Sequence, residues 1–347
     1  MSAAATCAPA LPDAAAAPAA ALPRIGFLGL GWIGQHRMQA LQDAGACRVA
    51  ALADPSPEAV EQARLRAPEA AAVGTLDQLL ALELDAVVIA TPSALHARQA
   101  MAALRRGLAV FCQKPLARSA GETAEMVSAA RSANRLLGCD FSYRHTEGMR
   151  RIRDSVRRGE LGPVYAADLV FHNAYGPDKP WFRDAALSGG GCAIDLGIHL
   201  VDLALWTLDF PEVERASSRL FAKGRRLAPG SMEVEDFAFA QLDLAGGAVV
   251  RIACSWNLAA GCDAVIGAEF HGPKGGAALR NQGGSFYDFS AERFEGRQRH
   301  LLCAPPDAWG GRAIVAWARA LATGAGYDDE IEQAVRTAAV MDTIYGR

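Results

Sequence analysis

The chain predicts an α/β protein in two domains: a doubly wound parallel sheet first, then an α+β domain built on antiparallel strands. Three observations carry that reading. At 347 residues the chain is longer than one hydrophobic core usually serves. From Arg24 to about Ser142, short β-rich runs alternate with helical stretches, which argues a parallel sheet with helices on both faces. Beyond a helix ending near Gly159, strand follows strand. The expected boundaries are an Ala- and Pro-rich disordered tail over 1–22, a first domain over 23–144 and a second over 145–347.

Taken in order, the tail lacks the basic start and leucine-rich stretch of a signal peptide, and Pro9, Pro12 and Pro18 interrupt any helix in it. The first domain should hold strands over 25–30, 49–53, 85–91, 109–112 and 136–141, with helices over 33–44, 58–66, 94–106 and 120–134 between them. The second should hold strands over 164–172, 217–222, 237–244, 248–256, 268–271 and 285–289, the third and fourth joined by a Gly246-Gly247 turn. Helices over 312–323 and 330–345 close the chain.

Composition narrows the function. A net charge of −3 without a Lys/Arg block argues against nucleic acid and a membrane surface as partners, leaving small molecules. The eight cysteines, at positions 7, 47, 112, 139, 192, 254, 262 and 303, show no Cys-x-x-Cys and no Cys/His cluster. That pattern reads as reduced thiols and a cytoplasmic protein without a metal site. No apolar run approaches the roughly 18 residues of a membrane span.

Three segments carry chemistry. Gly29, Gly31 and Gly34 have Gly-x-Gly-x-x-Gly spacing directly after a strand and at the mouth of a helix. There the glycines allow a tight turn, approach to a pyrophosphate and close helix–strand packing. Asp54 ends the next strand, twenty residues past Gly34, with no Lys or Arg until Arg64. A carboxylate there holds ribose hydroxyls and repels a 2′-phosphate, so NAD is expected over NADP. Thr91-Pro92-Ser93 follows a strand at the ligand edge of such a sheet, and His96 next to it is either a cofactor contact or an exposed helix-turn histidine. The cofactor set is therefore Gly29, Gly31, Trp32, Ile33, Gly34, Asp54, Thr91, Pro92, Ser93 and His96, with Gln113 from the segment below.

The second segment is Val110-Phe111-Cys112-Gln113-Lys114-Pro115. Behind four apolar residues, Lys114 either points into the cofactor crevice, placed for proton transfer, or is a solvated strand-end lysine. The third, Ser188 to Trp206, is a glycine run opening a helix apolar almost all round, broken only by Asp195, His199 and Asp202. At about 100° per residue these three lie within roughly 60° of each other, a polar stripe on a buried rod. Such a stripe is either a satisfied core network or a site.

Together these segments resemble the glucose–fructose oxidoreductase, inositol dehydrogenase and rhizopine-catabolism (Gfo/Idh/MocA) family over nearly the whole chain after the tail. The carrying motifs are the fingerprint at Gly29 to Gly34, the Glu-Lys-Pro-like Gln113-Lys114-Pro115, and Gly-Gly-Gly-x-x-x-Asp-x-Gly-x-x-His through Asp195 and His199. The resemblance implies a Rossmann domain followed by a domain with a large open antiparallel sheet, and Lys114, Asp195 and His199 converging on the nicotinamide. Gln113 departs from it, standing where the family usually has glutamate. Oxidation of a secondary alcohol needs a base, assigned to His199. Asp195 should orient the His199 ring or hold a neighbouring hydroxyl, and Lys114 should bind the reacting oxygen.

The expected substrate wall is Tyr143 and Arg144 at the domain junction, His172, and Trp181, which is either a sugar platform or a loop anchor. Phe237, Phe239, Trp256 and Trp309 read as core, with the open sheet face covered by a second subunit in a homo-oligomer. The expected activity is NAD-dependent oxidation of a sugar, sugar acid or inositol. The alternatives are a redox-neutral, NAD-dependent glycoside-cleaving enzyme of the same fold, and a non-catalytic sensor of nucleotide and sugar.

Overall fold

The computed structural model describes residues 22–347. The expected tail therefore lies, except for Leu22, outside the described residues. The first unit runs β1 (Arg24–Leu28), α1 (Trp32–Asp43), β2 (Arg48–Ala53), α2 (Pro57–Arg64), β3 (Ala71–Val73), α3 (Leu76–Leu80), β4 (Ala86–Ile89), α4 (Ser93–Arg105), β5 (Ala109–Cys112), α5 (Ala120–Ala133) and β6 (Leu137–Cys139). Its six strands lie in the order β3-β2-β1-β4-β5-β6, and every neighbouring pair is parallel. Every residue of β4 and β5 is buried, as expected of strands covered by helices on both faces. The order reverses between β1 and β4, which opens a crevice beyond the strands' carboxyl ends.

The second unit follows with α6 (Glu147–Arg157), β7 (Ala166–Asn173), α7 (Ala185–Ser188), a π-helical turn at Ala193–Gly197 and α8 (Ile198–Thr207). Then come β8 (Val213–Ala222), β9 (Arg225–Arg226), β10 (Phe237–Leu244), β11 (Val249–Ser255), β12 (Ala264–Gly272), β13 (Gly275–Asn281), β14 (Phe289–Glu295) and β15 (Gln298–Cys303). These form a nine-stranded sheet in the order β15-β14-β13-β12-β7-β11-β10-β8-β9, parallel at β7–β11 and antiparallel elsewhere. Alternate residues such as Ala167, Leu169 and Phe171 turn inward, where α6, α8 and α10 (Glu332–Tyr345) pack. The opposite face carries Asp168–Arg251 and Glu269–Arg280–Glu292 ion pairs, and Phe239 is 40% exposed there. Phe239 is thus a surface residue and not the core residue its apolarity suggests.

Packing departs from the sequence reading in four places. Helix α9 (Arg312–Ala322) returns to the first sheet, where Trp317 meets Phe111 at 5.5 Å and joins the cluster of Ile25, Phe27 and Leu52, so the chain beyond residue 145 serves both units. Residues 285–289 are not a strand up to Phe289: Ser285 Oγ accepts from the backbone N–H of Tyr287 and Asp288, which locks a turn. β3, β9, β13, β15 and β14 beyond Phe289 were not expected, because Ala, Gly and polar residues have weak strand preference. Finally, one helical stretch among the described residues, Ala185–Thr207, is long and apolar enough to cross a membrane, and 83% of its most apolar window is buried inside the protein.

Candidate active site

The crevice floor begins at the fingerprint. A Cβ on Gly34 would lie 2.1 Å from the Gly29 carbonyl oxygen, so the third glycine is what brings α1 onto β1. A Cβ on Gly31 would meet nothing within 4 Å, so space lies open in front of it. Helix α1 starts there with no side-chain cap and no acid in its first turn, leaving its N–H groups and positive dipole end for an anion. Trp32 and Ile33 open that helix, and the Trp32 ring is 67% exposed. Asp54 is fixed at the end of β2 by the Leu30 and Ser56 N–H groups, at 2.7 and 2.8 Å, which leaves lone pairs for ribose hydroxyls. These residues fit a dinucleotide.

Beyond β4 and β5 the residues expected to contact the cofactor are more tightly committed than the sequence suggests. Thr91 donates to Gln99 at 2.6 Å, while Pro92 and Ser93 begin α4, whose N-terminus also lacks a side-chain cap. His96 is buried, its Nδ1 2.8 Å from the Pro115 carbonyl and its Nε2 2.8 Å from that of Thr91. It is neither exposed nor turned to the crevice. Instead it struts two crevice loops together, and burial holds its pKa below the usual 6.5. Gln113 donates to Asp140 Oδ2 at 2.5 Å, and Arg37 donates to the same oxygen at 2.5 Å. Asp140 and Arg37 lie in the core, so the family's glutamate position is here a neutral amide shared with a buried ion pair.

Lys114 reaches across from the end of β5 to the second unit. Its Nζ lies 2.8 Å from Asp195 Oδ1 and 2.6 Å from the Asp195 carbonyl. The other oxygen, Oδ2, accepts from Trp256 Nε1 at 3.1 Å. Asp195 therefore serves Lys114 and Trp256 and does not orient the His199 ring. That ring is set by aromatic contacts instead: the edge of Tyr143 at 4.9 Å and Phe171 at 6.4 Å. His199 is buried, yet its ring nitrogens make no hydrogen bond among the described residues and neither is a sealed orphan. Burial first, then the Lys114 and Arg37 charges, hold its pKa well below 6.5, so the imidazole is neutral. Asp202, the third member of the stripe, turns away and accepts from Arg144 at 2.5 and 2.8 Å.

The expected substrate wall divides accordingly. Tyr143 lines the site beside His199, with Trp309 at 4.8 Å behind it. Arg144 does not: it is buried among Phe141, Trp206 and Phe210, paired with Asp202. His172 does not either. Strand alternation sends Phe171 to His199 and its neighbour to the other face, where His172 bonds Ser255 Oγ at 2.8 Å and stacks on Phe237. Trp181 stacks on Phe182 at 3.8 Å, and Phe182 abuts Trp256, the donor to Asp195.

Sequence reasoning missed the anchor of this site. Glu235, almost fully buried, accepts from the N–H of Gly191 and Ala193 at 3.0 and 2.9 Å and from the Tyr345 hydroxyl at 2.7 Å. That hydroxyl also accepts from Ile194 N–H at 3.0 Å. A Cβ on Gly191 would sit 1.9 Å from the Glu235 carbonyl oxygen and one on Gly190 2.2 Å from the Tyr345 hydroxyl. The glycine run thus exists to let a carboxylate and a phenol close on the turn bearing Asp195. For Asp140 a signal was available, a single acid at the end of the apolar 136–141 run; Glu235, between Glu233 and Asp236, gave none.

Comparison with known proteins bears on the fold and the family. Residues 23–141 match the oxidoreductase family with an NAD-binding Rossmann fold, and residues 149–278 match the GFO/IDH/MocA C-terminal domain. D-Glucoside 3-dehydrogenase of Escherichia coli (strain K12) is 30% identical over 211 residues, 58% of this chain and 60% of that protein, so the match spans less than two thirds of the relative. Inositol 2-dehydrogenase of Acidiphilium cryptum (strain JF-5) is 30% identical over 260 residues, 74% of this chain and 73% of that one. In fold, the chain is similar to the aldose–aldose oxidoreductase of Caulobacter crescentus, with a TM-score of 0.80 at 23% identity over 93% of this chain and 96% of that one. The chain belongs to the GFO/IDH/MocA oxidoreductase family, with an NAD-binding Rossmann domain.

Proposed function

We propose that this protein is an NAD-dependent dehydrogenase that moves a hydride between a secondary alcohol of a sugar, sugar acid or inositol and the nicotinamide. The observation that carries the proposal is the meeting of Lys114, from the first sheet, with Asp195, 2.8 Å away on the helix that carries His199. When bound, NAD⁺ supplies the two-electron acceptor. Gly29, Gly31, Trp32, Ile33 and Gly34 would hold its pyrophosphate, Asp54 its ribose, and Thr91, Pro92, Ser93 and Gln113 would border the nicotinamide.

The side chains then have separate tasks. An ammonium has three donors, and two of those of Lys114 go to Asp195. The third is left to bind the substrate oxygen and steady charge developing on it. Neutral His199 takes the hydroxyl proton on a ring nitrogen. Asp195, fixed by Trp256, keeps Lys114 in place, and Tyr143 and Trp181 border the substrate. Reduced thiols suit the cytoplasm: the seven described cysteines are all free. The outer sheet face, with Phe239 exposed, is the surface on which a second copy would sit.

A panel of aldoses, polyols and glycosides with NAD⁺, followed for both NADH and released aglycone, tests the reading. NADH accumulation with a ketone product is expected. Aglycone release without NADH would replace it with redox-neutral cleavage. Asp54→Ala should weaken NAD⁺ binding and narrow its preference over NADP⁺; an unchanged preference would remove the ribose contact.

A further inference from the structure

An aromatic path leads from His199 to the surface. Tyr143 stands 4.9 Å from His199, Trp309 stands 4.8 Å from Tyr143, and Tyr287 stands 6.1 Å from Trp309. Across the backbone of Gly310, a Cβ on which would meet His36 at 3.2 Å, His36 stacks with Trp32 at 5.4 Å. The path begins buried and ends exposed: Tyr143 is 9% exposed, Trp309 5%, Tyr287 46% and Trp32 67%. Exposed aromatic rings at the end of such a path ask for an explanation.

Tyr287 is exposed without being loose. Its carbonyl accepts from Trp309 Nε1 at 2.9 Å and its N–H donates to Ser285 Oγ at 3.1 Å. Ser285 Oγ in turn donates to Asp288 at 2.9 Å. The backbone is thus nailed on both sides while the ring stays open to solvent. A ring held that way is preorganised to stack on something flat. It stands two aromatic residues outward from the base, beyond the place where a single sugar ring would be oxidised.

We propose that Tyr287, at the exposed end of the rings that start at His199, forms a subsite for a second ring, so that the preferred substrate class is glycosides whose aglycone is itself a ring. This deepens the dehydrogenase reading and rests on it. The ring being oxidised lies at Lys114, Asp195 and His199. The glycosidic bond points outward, and the aglycone lays a C–H or aromatic face on Tyr287. No bond to the aglycone is made or broken.

The test uses free sugars, methyl glycosides and phenyl glycosides of the gluco, galacto and manno series, on the wild type, Tyr287→Ala and Tyr287→Phe. Binding to the enzyme–NADH complex is measured by calorimetry, and oxidation is measured with NAD⁺. In at least one series the phenyl glycoside should bind roughly tenfold tighter than the methyl glycoside. Tyr287→Ala should erase that advantage through KM and leave the methyl glycoside within about twofold, while Tyr287→Phe retains it. If phenyl and methyl glycosides bind alike in every series, or Tyr287→Ala weakens both equally, the subsite is wrong whether or not sugars are oxidised. Tighter phenyl binding that depends on Tyr287, with no oxidation of any compound, would keep the subsite and sink the dehydrogenase instead.

Discussion

His199 combines burial with free ring nitrogens, and that fixes its expected pH behaviour. Because desolvation and the Lys114 and Arg37 charges hold its pKa well below 6.5, the base form persists through neutral pH. The acid limb of kcat/KM should therefore fall at a pH below 6.5, and a limb at or above that value would assign the base elsewhere. His199→Ala should lower kcat by roughly 10² or more. Lys114→Met should lower it by a similar factor. Nucleotide binding, followed by fluorescence titration, should be nearly unchanged in both, since neither side chain touches the fingerprint. Full turnover in either variant removes the assigned role. Gln113 gives a second test, because its amide donates to Asp140 in the core at 2.5 Å. Gln113→Glu would set two carboxylates at that distance with one arginine, Arg37, between them. The pair should cost on the order of 2 kcal/mol at pH 8, and less at pH 6 where one carboxyl can keep its proton. Equal losses at both values, by urea unfolding, would mean that the network rearranges.

At the scale of elements, the π-helical turn at Ala193–Gly197 decides where Asp195 points, and it is pinned from outside by Glu235 and by Tyr345 at the end of α10. Tyr345→Phe deletes one hydroxyl that donates to Glu235 and accepts from Ile194. It should cost about 1–3 kcal/mol, because it leaves a buried carboxylate and a backbone N–H short of a partner. It should also lower kcat by more than it raises KM. A loss of stability with unchanged kcat would show that the turn holds its aim without the phenol. This anchor also marks where sequence stops being informative. Apart from β3 and α3, the alternation of strands and helices up to β6 was legible, and so were the three chemical segments, because periodicity and glycine spacing are local properties. Contacts made across more than fifty residues left no local trace: Arg37 on Asp140, Arg144 drawn to Asp202, Trp256 donating to Asp195 and α9 returning to Phe111. His172 shows the same limit at one residue, since a one-step change of strand register moves a side chain to the other face. Short Ala- and Gly-rich strands such as β3 and β13 form because neighbours pair with them, not because their residues favour extension.

Across the whole molecule, the histidines tie stability to pH. Five of the seven, His36, His96, His145, His172 and His199, are held below 6.5 with burial as the leading cause, His145 down to about 4. The unfolded chain protonates each of them near 6.5 and the folded one does not. Between each folded value and 6.5 the unfolded state therefore binds more protons, and stability falls as pH falls. Two buried carboxyls oppose this. Burial raises Asp202 and Glu235 above their ordinary values, so the folded state takes their protons first and gains stability as pH drops through that range. The histidines outnumber them five to two, so they govern the balance as the pH drops below 6.5. His96 and His199, both buried, should each contribute a slope of about 1.4 kcal/mol per pH unit while they stay neutral in the fold. His36 and His172, half-exposed, should contribute less. The melting temperature should thus be highest above pH 6.5 and drop steadily from pH 6.5 to 5, and the drop should lessen in His145→Gln, which removes one such group. A melting temperature that stays level or rises over that interval, measured by calorimetry in buffers of constant ionic strength, would mean that these imidazoles gain protons inside the folded protein and that the crevice around His199 admits more water than its packing implies.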